Sequence, residues 1–118
     1  MEKFYVQLPL TGEYLTTVRL TTGGLCALAG FDVDATEDFK VCVTESLLIL
    51  KRNGYTSASI DFTVGESLAC AVCGKDAGGV CEDGMEDEIS RALLSALVGE
   101  VDFILGETGK IEKITFEG

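Results

Sequence analysis

The chain has 118 residues, of which 20 are acidic and 9 are basic, so its formal net charge is −11. A field of that sign repels nucleic acid and anionic membranes, which argues against both as partners. The hydrophobic fraction of 47% is typical of a globular protein rather than a disordered chain. The length predicts one domain over residues 1–118.

The residue types present also limit where the protein can be located and which catalytic chemistry it can carry out. No apolar run approaches the roughly 20 residues of a membrane-spanning helix, and no signal-peptide core follows Met1, which predicts a cytoplasmic protein. Histidine is absent, so a catalytic triad and an imidazole base are excluded. The cysteines number five. This odd count, with two of them in predicted helices, favours reduced thiols over a disulfide framework.

The N-terminal half predicts one strand and two helices. Residues 2–10 alternate between apolar and polar side chains, which is the period of a strand. A helical pattern follows and ends near Ala29, before a glycine. The second helix is expected to begin at Asp34, with a side-chain oxygen able to cap it, and to run to about Arg52. Its apolar residues lie on two sides, which predicts burial from two directions.

The C-terminal half predicts four strands and one helix. Two strands are expected at residues 57–64 and 67–73. A helix follows at residues 86–98, and two more strands are expected at residues 101–105 and 110–116. The helix residues expected to face inward are Ile89, Leu93, Ala96 and Leu97. Short connections predict two antiparallel hairpins. The order β-α-α-β-β-α-β-β predicts an α+β two-layer sandwich: a mostly antiparallel mixed sheet covered on one face by three helices.

Three segments narrow this prediction. They are "TTVRLTTGGLCALAGF" at 16–31, "ATEDFKVCVTESLLILKRNGY" at 35–55 and "LLSALVGEVDFI" at 93–104. In order and spacing they resemble the first helix, the second helix and the end of the last helix of the anti-sigma serine kinases. That family has the histidine-kinase-type ATPase fold. The resemblance implies the same fold and a nucleotide site with three parts.

The first part in that family is a glutamate and an asparagine four residues apart on the second helix. The asparagine helps to hold magnesium, and the glutamate polarises the attacking hydroxyl. Glu45 matches the glutamate, but Ile49 stands at the asparagine position and offers no oxygen to a hard cation. Asn53 lies about 12 Å further along the helix axis and cannot substitute. The alternative for Glu45 is an ordinary solvated or hydrogen-bonded carboxylate.

The second part is an Asp-x-Gly-x-Gly loop, in which the aspartate accepts from the adenine amino group. Asp76 and Gly78 match its first half, whereas Val80 replaces the second glycine. Asp76 and Gly78 are therefore candidate remnants of a purine pocket. A plain polar turn is the alternative, since such loops match this pattern easily.

The third part is a Gly-x-Gly stretch whose helix N-terminus holds phosphate. It falls on residues 88–90, where both glycines are lost. Acidic residues also crowd this helix start, namely Glu82, Asp83, Glu86, Asp87 and Glu88. At about 6 Å and an effective dielectric near 20, each like-charge pair costs on the order of 2 to 3 kcal/mol. Neither ATP nor magnesium is therefore expected as a cofactor.

The cysteines suggest a different site. Cys70, Cys73 and Cys81 have a spacing found in zinc sites. Residues three apart on a strand point to opposite faces, so Cys70 and Cys73 converge only if the strand ends between them. The fourth ligand would be an acid such as Glu82 or Asp83, because histidine is absent.

The sequence favours a non-catalytic protein-binding regulator. The resemblance implies a sigma factor or an anti-anti-sigma-like antagonist as partner, self-association as a possible homodimer, and Arg19 on the partner-contacting first helix. A solvated Arg19 is the alternative. Two other functions remain open: an ATP-dependent serine/threonine kinase using Glu45, and a small-ligand or zinc-binding module at residues 70–83.

Overall fold

The computed structural model describes residues 2–82 and 84–118. Its elements follow the predicted order, which is confirmed. They are β1 (Glu2–Pro9), α1 (Gly12–Leu28), α2 (Val33–Arg52), β2 (Ser57–Val64), β3 (Leu68–Lys75), α3 (Met85–Val98), β4 (Val101–Leu105) and β5 (Ile111–Glu117). No helix within the described part of the chain is long and apolar enough to cross a membrane.

The five strands form one open sheet in the order β1-β2-β3-β5-β4. All four neighbouring pairs are antiparallel, so the α+β class is confirmed and the sheet has no parallel pair among these strands. The hairpins predicted at β2–β3 and β4–β5 both form. β1 and β4 are the two edges of the sheet.

The helices cover one face of the sheet because alternate strand residues are apolar. Ile60, Val72 and Ile114 are fully buried on that face. Intervening residues such as Asp61 are exposed. Period-two patterning therefore decides which face receives the helices.

α2 occupies the centre of the helical layer, as its two apolar sides predict. It packs against α1, α3 and the sheet, and Leu47 and Ile49 are fully buried. Its start differs from the expectation, since Asp32 and not Asp34 is the N-cap. The Asp32 carboxylate accepts from the Ala35 amide at 2.8 Å, a standard capping hydrogen bond. Asp34 lies in the first turn.

α3 is oriented differently from the prediction. Ile89 is 62% exposed and Ala96 is also exposed, whereas Ser90 and Leu94 are buried. Leu93 and Leu97, which lie toward the edge of the inner face, are half-buried. Successive helix residues are separated by about 100°, so the true inner face is displaced from the expected one. Polar side chains near the start of α3 turn toward α2, which an apolar pattern does not reveal.

Candidate functional site

The side chains that resemble a nucleotide site meet where α2 ends and α3 begins. The Ser90 hydroxyl donates to Glu45 Oε2 at 2.7 Å. Arg52 Nη2 in turn donates to Ser90 Oγ at 2.7 Å. A continuous hydrogen-bonded chain therefore runs from Arg52 through Ser90 to Glu45. Together with Asn53 and Asp87, described next, these residues are called the α2–α3 junction.

Asp87 anchors the first turn of α3 to the end of α2. Its Oδ1 lies 2.5 Å from Arg52 Nε, and its Oδ2 accepts from Asn53 Nδ2 at 3.1 Å. The Arg52 and Asp87 side chains are only 15% and 25% exposed. Both carboxylate oxygens are therefore occupied in a partly desolvated setting, where charge-assisted hydrogen bonds are strongest.

Asn53 connects the junction to the rest of the fold. Its Nδ2 also donates to the Ile49 carbonyl at 2.8 Å. Its Oδ1 accepts from the Ile111 amide at 3.1 Å, which links the end of α2 to the start of β5. The sequence placed Asn53 too far along α2 to replace the missing metal ligand. In the structure its amide oxygen already has a backbone partner.

The junction brings two of the predicted positions together. Glu45, at the position of the catalytic carboxylate, and Ser90, at the position of a phosphate-binding glycine, are in direct hydrogen-bond contact. The sequence interpretation did not identify Arg52, and it treated Asp87 only as one of several acids at a helix start. The available signal was a cation in the last turn of α2 facing an acid-rich first turn of α3.

The acidic start of α3 divides into two groups. Asp87 points inward and is neutralised by Arg52. Glu82, Glu86 and Glu88 are exposed, and the Glu86 backbone carbonyl accepts from Arg52 Nη2 at 3.5 Å. Asp83 lies outside the described residues. The cluster is therefore less uniformly repulsive than the sequence suggested, because one member belongs to an ion pair.

Asp76 lies just after the end of β3 and is bonded to residues at the start of β2. Its Oδ2 accepts from Ser57 Oγ at 2.8 Å, its backbone carbonyl accepts from the Thr56 amide at 2.9 Å, and its φ is 56°. These contacts close the open end of the β2–β3 hairpin. Gly78 is exposed. A cavity of about 300 Å³ beside this loop is lined by Gly79 but not by Asp76 or Gly78.

The cysteines do not converge as a zinc site requires. β3 continues through Lys75, so Cys70 faces the helices while Cys73 lies on the opposite face. Cys81 is exposed in the following loop and receives a hydrogen bond from Lys110. Across residues 2–82 and 84–118, no group of three or more His, Cys, Asp or Glu side chains is arranged to hold a metal ion. The condition stated for a cysteine site, a strand ending between positions 70 and 73, is not met.

The interior cysteines behave as apolar core residues. Burial raises the pKa of the Cys42 thiol to about 12. Burial likewise raises the pKa of Cys26 and raises that of Cys70 well above its usual range. Thiolates are the nucleophilic and metal-binding form of cysteine, so these three positions are chemically inert at neutral pH.

Arg19 lies on the exposed side of α1. No ion pair or hydrogen bond joins its side chain to another of the described residues. Leu20, the next residue, is 73% exposed. This part of α1 is accessible, and its role remains a prediction.

Comparison with known proteins identifies relatives by sequence. The chain matches no protein-family model. It is 39% identical over 46 residues to the serine-protein kinase RsbW of Listeria monocytogenes (serotype 4a, strain HCC23), covering 39% of this chain and 29% of that protein. It is 29% identical over 63 residues to RsbW of Bacillus mycoides (strain KBAB4), covering 53% of this chain and 39% of that protein. The chain thus spans well under half the length of the curated relatives it matches.

The structural match extends further along the chain. The crystal structure of the RsbU and RsbW domains of Rv1364c from Mycobacterium tuberculosis covers 99% of this chain and 32% of its own, with a TM-score of 0.73 at 18% identity. The chain resembles RsbW proteins. The resemblance expected from residues 16–31, 35–55 and 93–104 is therefore confirmed, and the fold is shared with an RsbW-containing structure. In this chain the α2–α3 junction lies between the two helices to which the resemblance assigned catalytic and phosphate-binding roles.

Proposed function

We propose that this RsbW-like domain is a non-catalytic, protein-binding regulator of the anti-sigma type that does not bind ATP. The observation that carries the proposal is the hydrogen bond between Ser90 and Glu45. The position expected to bind phosphate and the position expected to activate a hydroxyl are bonded to each other. Each side chain is therefore already engaged by the other.

The energetics oppose nucleotide entry. A triphosphate at the start of α3 would have to displace the Ser90–Glu45 hydrogen bond and the Arg52–Asp87 pair. Hydrogen bonds to charged groups contribute about 1.5 to 3 kcal/mol each. Glu86 and Glu88 would add repulsion. A micromolar ligand has only about 8 kcal/mol of binding free energy, so these costs consume most of it.

A retained fold without a nucleotide site favours a binding role. The relatives are serine-protein kinases by name, and the resemblance to anti-sigma kinases supplies the partner class: a sigma factor or an anti-anti-sigma-like antagonist in the cytoplasm. The net charge of −11 favours a partner with a basic surface, because opposite potentials steer association. A homodimer is compatible with this function.

Calorimetric titration tests the nucleotide half of the proposal. Mg-ATP added to the domain should give no binding isotherm in the micromolar range, while RsbW of Listeria monocytogenes serves as the comparison protein. Micromolar Mg-ATP binding by this domain would overturn the proposal. Phosphate transfer to a protein substrate that is lost in Glu45→Ala would instead establish the kinase alternative.

Affinity capture tests the partner half. The domain, used as bait in the cell that produces it, should retain a sigma factor or an antagonist of an anti-sigma factor, identified by mass spectrometry. Addition of Mg-ATP should not change the amount retained. Recovery that depends on nucleotide would contradict a regulator whose nucleotide site is closed.

A further inference from the structure

α3 has a second apolar face that the fold does not use. Met85, Ile89, Ala92 and Ala96 recur at intervals of four, three and four residues, which places them on one side of a helix. Met85 is 72% and Ile89 is 62% exposed, and both alanines are also exposed. These four residues are called the outer stripe.

The inner face of α3 already has its partners. Ser90 belongs to the α2–α3 junction, and Leu94 is fully buried in the core. A surface helix normally presents one apolar face to its own domain and polar residues to solvent. α3 departs from this pattern, because the side opposite its buried face is a continuous apolar line.

The charges of α3 are arranged around the outer stripe. Asp87 is paired with Arg52, and the Arg91 guanidinium lies 4.8 Å from the centre of the Phe103 ring. Glu86 and Glu88 remain, one on each flank of the stripe, and neither forms an ion pair with another residue in the described ranges. The exposed surface of α3 is therefore an apolar line bordered by carboxylates at its N-terminal end.

We propose that the outer stripe is the docking surface for a basic amphipathic helix of a partner protein. This inference rests on the proposed function, since it identifies where a regulator of that kind binds. α3 has 14 residues and is about 21 Å long, enough to accept three to four turns of a partner helix. The apolar side chains of the partner pack along Met85 and Ile89, and its lysines or arginines face Glu86 and Glu88.

Charge selects this occupant over two others. A second copy of this chain also carries a net charge of −11, so pairing two outer stripes would bring four carboxylates from Glu86 and Glu88 together. An anionic lipid surface is repelled for the same reason. A basic helix removes the apolar stripe from water and neutralises its carboxylate border at the same time.

The test uses a synthetic helical peptide with leucines on one face and lysines on the other, and a second peptide in which glutamates replace the lysines. Titration of the lysine peptide into isotopically labelled protein should shift amide resonances within residues 85–96. The double substitution Met85→Gln/Ile89→Gln should weaken binding by about tenfold or more, because it removes the two largest apolar side chains of the stripe. The glutamate peptide should bind at least about tenfold more weakly than the lysine peptide.

The matched control is Leu20→Gln/Leu28→Gln on α1, which makes the same kind of change at two positions that are each 73% exposed. This variant should bind the lysine peptide with an affinity within about twofold of the unmodified protein. Circular dichroism on both variants establishes that they remain folded. The docking surface would be overturned if the resonance shifts were confined to α1 or to the open face of the sheet, or if the two peptides bound with equal affinity. It would also be overturned by concentration-dependent dimerisation, or by vesicle binding that Met85→Gln/Ile89→Gln abolishes.

The two proposals fail separately. If Mg-ATP binds while peptide shifts still map to residues 85–96, the proposed function is wrong and the docking surface stands. If Mg-ATP does not bind and Met85→Gln/Ile89→Gln captures a sigma factor or antagonist as well as the unmodified protein does, the proposed function stands and the docking surface is wrong.

Discussion

The α2–α3 junction and the loop after β3 (residues 76–82) both correspond to parts of the nucleotide site implied by the resemblance, but they satisfy their polar groups differently. In the junction, Glu45 and Ser90 are joined across 45 residues of sequence and Arg52 and Asp87 across 35. In the loop, the Asp76 carboxylate accepts from Ser57, which begins β2 opposite the end of β3. The junction connects two helices, whereas the Asp76 contact stays within one hairpin.

This difference shows what occupies the positions that the resemblance assigned to a nucleotide site. Ile49 stands at the expected asparagine position, and Glu88 and Ser90 stand at the two expected glycine positions. Arg52, Asp87 and Ser90 form a network that holds the start of α3 against α2. These residues therefore have a structural role, which favours a domain maintained for binding.

The most disruptive test of this contrast is Arg52→Met. It removes the only cation hydrogen-bonded to Asp87 and Ser90 among the described residues and leaves a partly buried carboxylate without its counter-charge. The expected loss in free energy of unfolding is about 3 to 4 kcal/mol, in the lower part of the range for a broken buried pair because both side chains retain some exposure. Urea denaturation measures it.

The double variant Arg52→Met/Asp87→Leu is the control for that prediction. It removes both charges together, so it should be more stable than Arg52→Met alone. If the double variant loses as much free energy of unfolding as the two single variants lose together, Arg52 and Asp87 act independently. The α2–α3 junction would then not be a network.

Ser90→Ala should have a smaller effect. It removes two hydrogen bonds to charged groups, to Glu45 and from Arg52, at about 1.5 kcal/mol each, and alanine recovers about 0.5 kcal/mol through its higher helix propensity. We therefore expect a loss of about 2 to 2.5 kcal/mol in the free energy of unfolding. Ser95→Ala on the exposed side of the same helix should change stability by less than about 0.5 kcal/mol. Equal effects of the two substitutions would mean that the loss reflects serine-to-alanine replacement in α3 and not the junction.

Much of the fold could be predicted because its signals are local. Period-two alternation identified the strands, short connections identified the hairpins, and the double-sided apolar pattern of α2 predicted its central position. The cap of α2 was misassigned because Asp32 and Asp34 are both acceptable capping residues, and only the backbone geometry distinguishes them. Such errors displace an element by one or two residues without changing the fold.

The arrangement of α3 and its partners could not be predicted in the same way. The helix carries apolar residues on both faces, so periodicity alone favoured Ile89 as an inward residue although Leu94 is the buried one. Glu45 was identified from its position in α2. Its bond to Ser90 depends on how two helices distant in sequence pack, and no spacing rule specifies that.

The smallest expected effect lies in the loop. Asp76 has a positive φ of 56°, a conformation that aspartate tolerates better than alanine, and it accepts one exposed hydrogen bond from Ser57. Asp76→Ala should therefore cost about 1 kcal/mol in urea denaturation, and Asp76→Gly should cost less because glycine adopts this conformation without strain. If Asp76→Ala destabilised the protein as much as Arg52→Met, the loop would be as strongly coupled to the fold as the α2–α3 junction. The distinction between a contact within one hairpin and a connection between two helices would then fail.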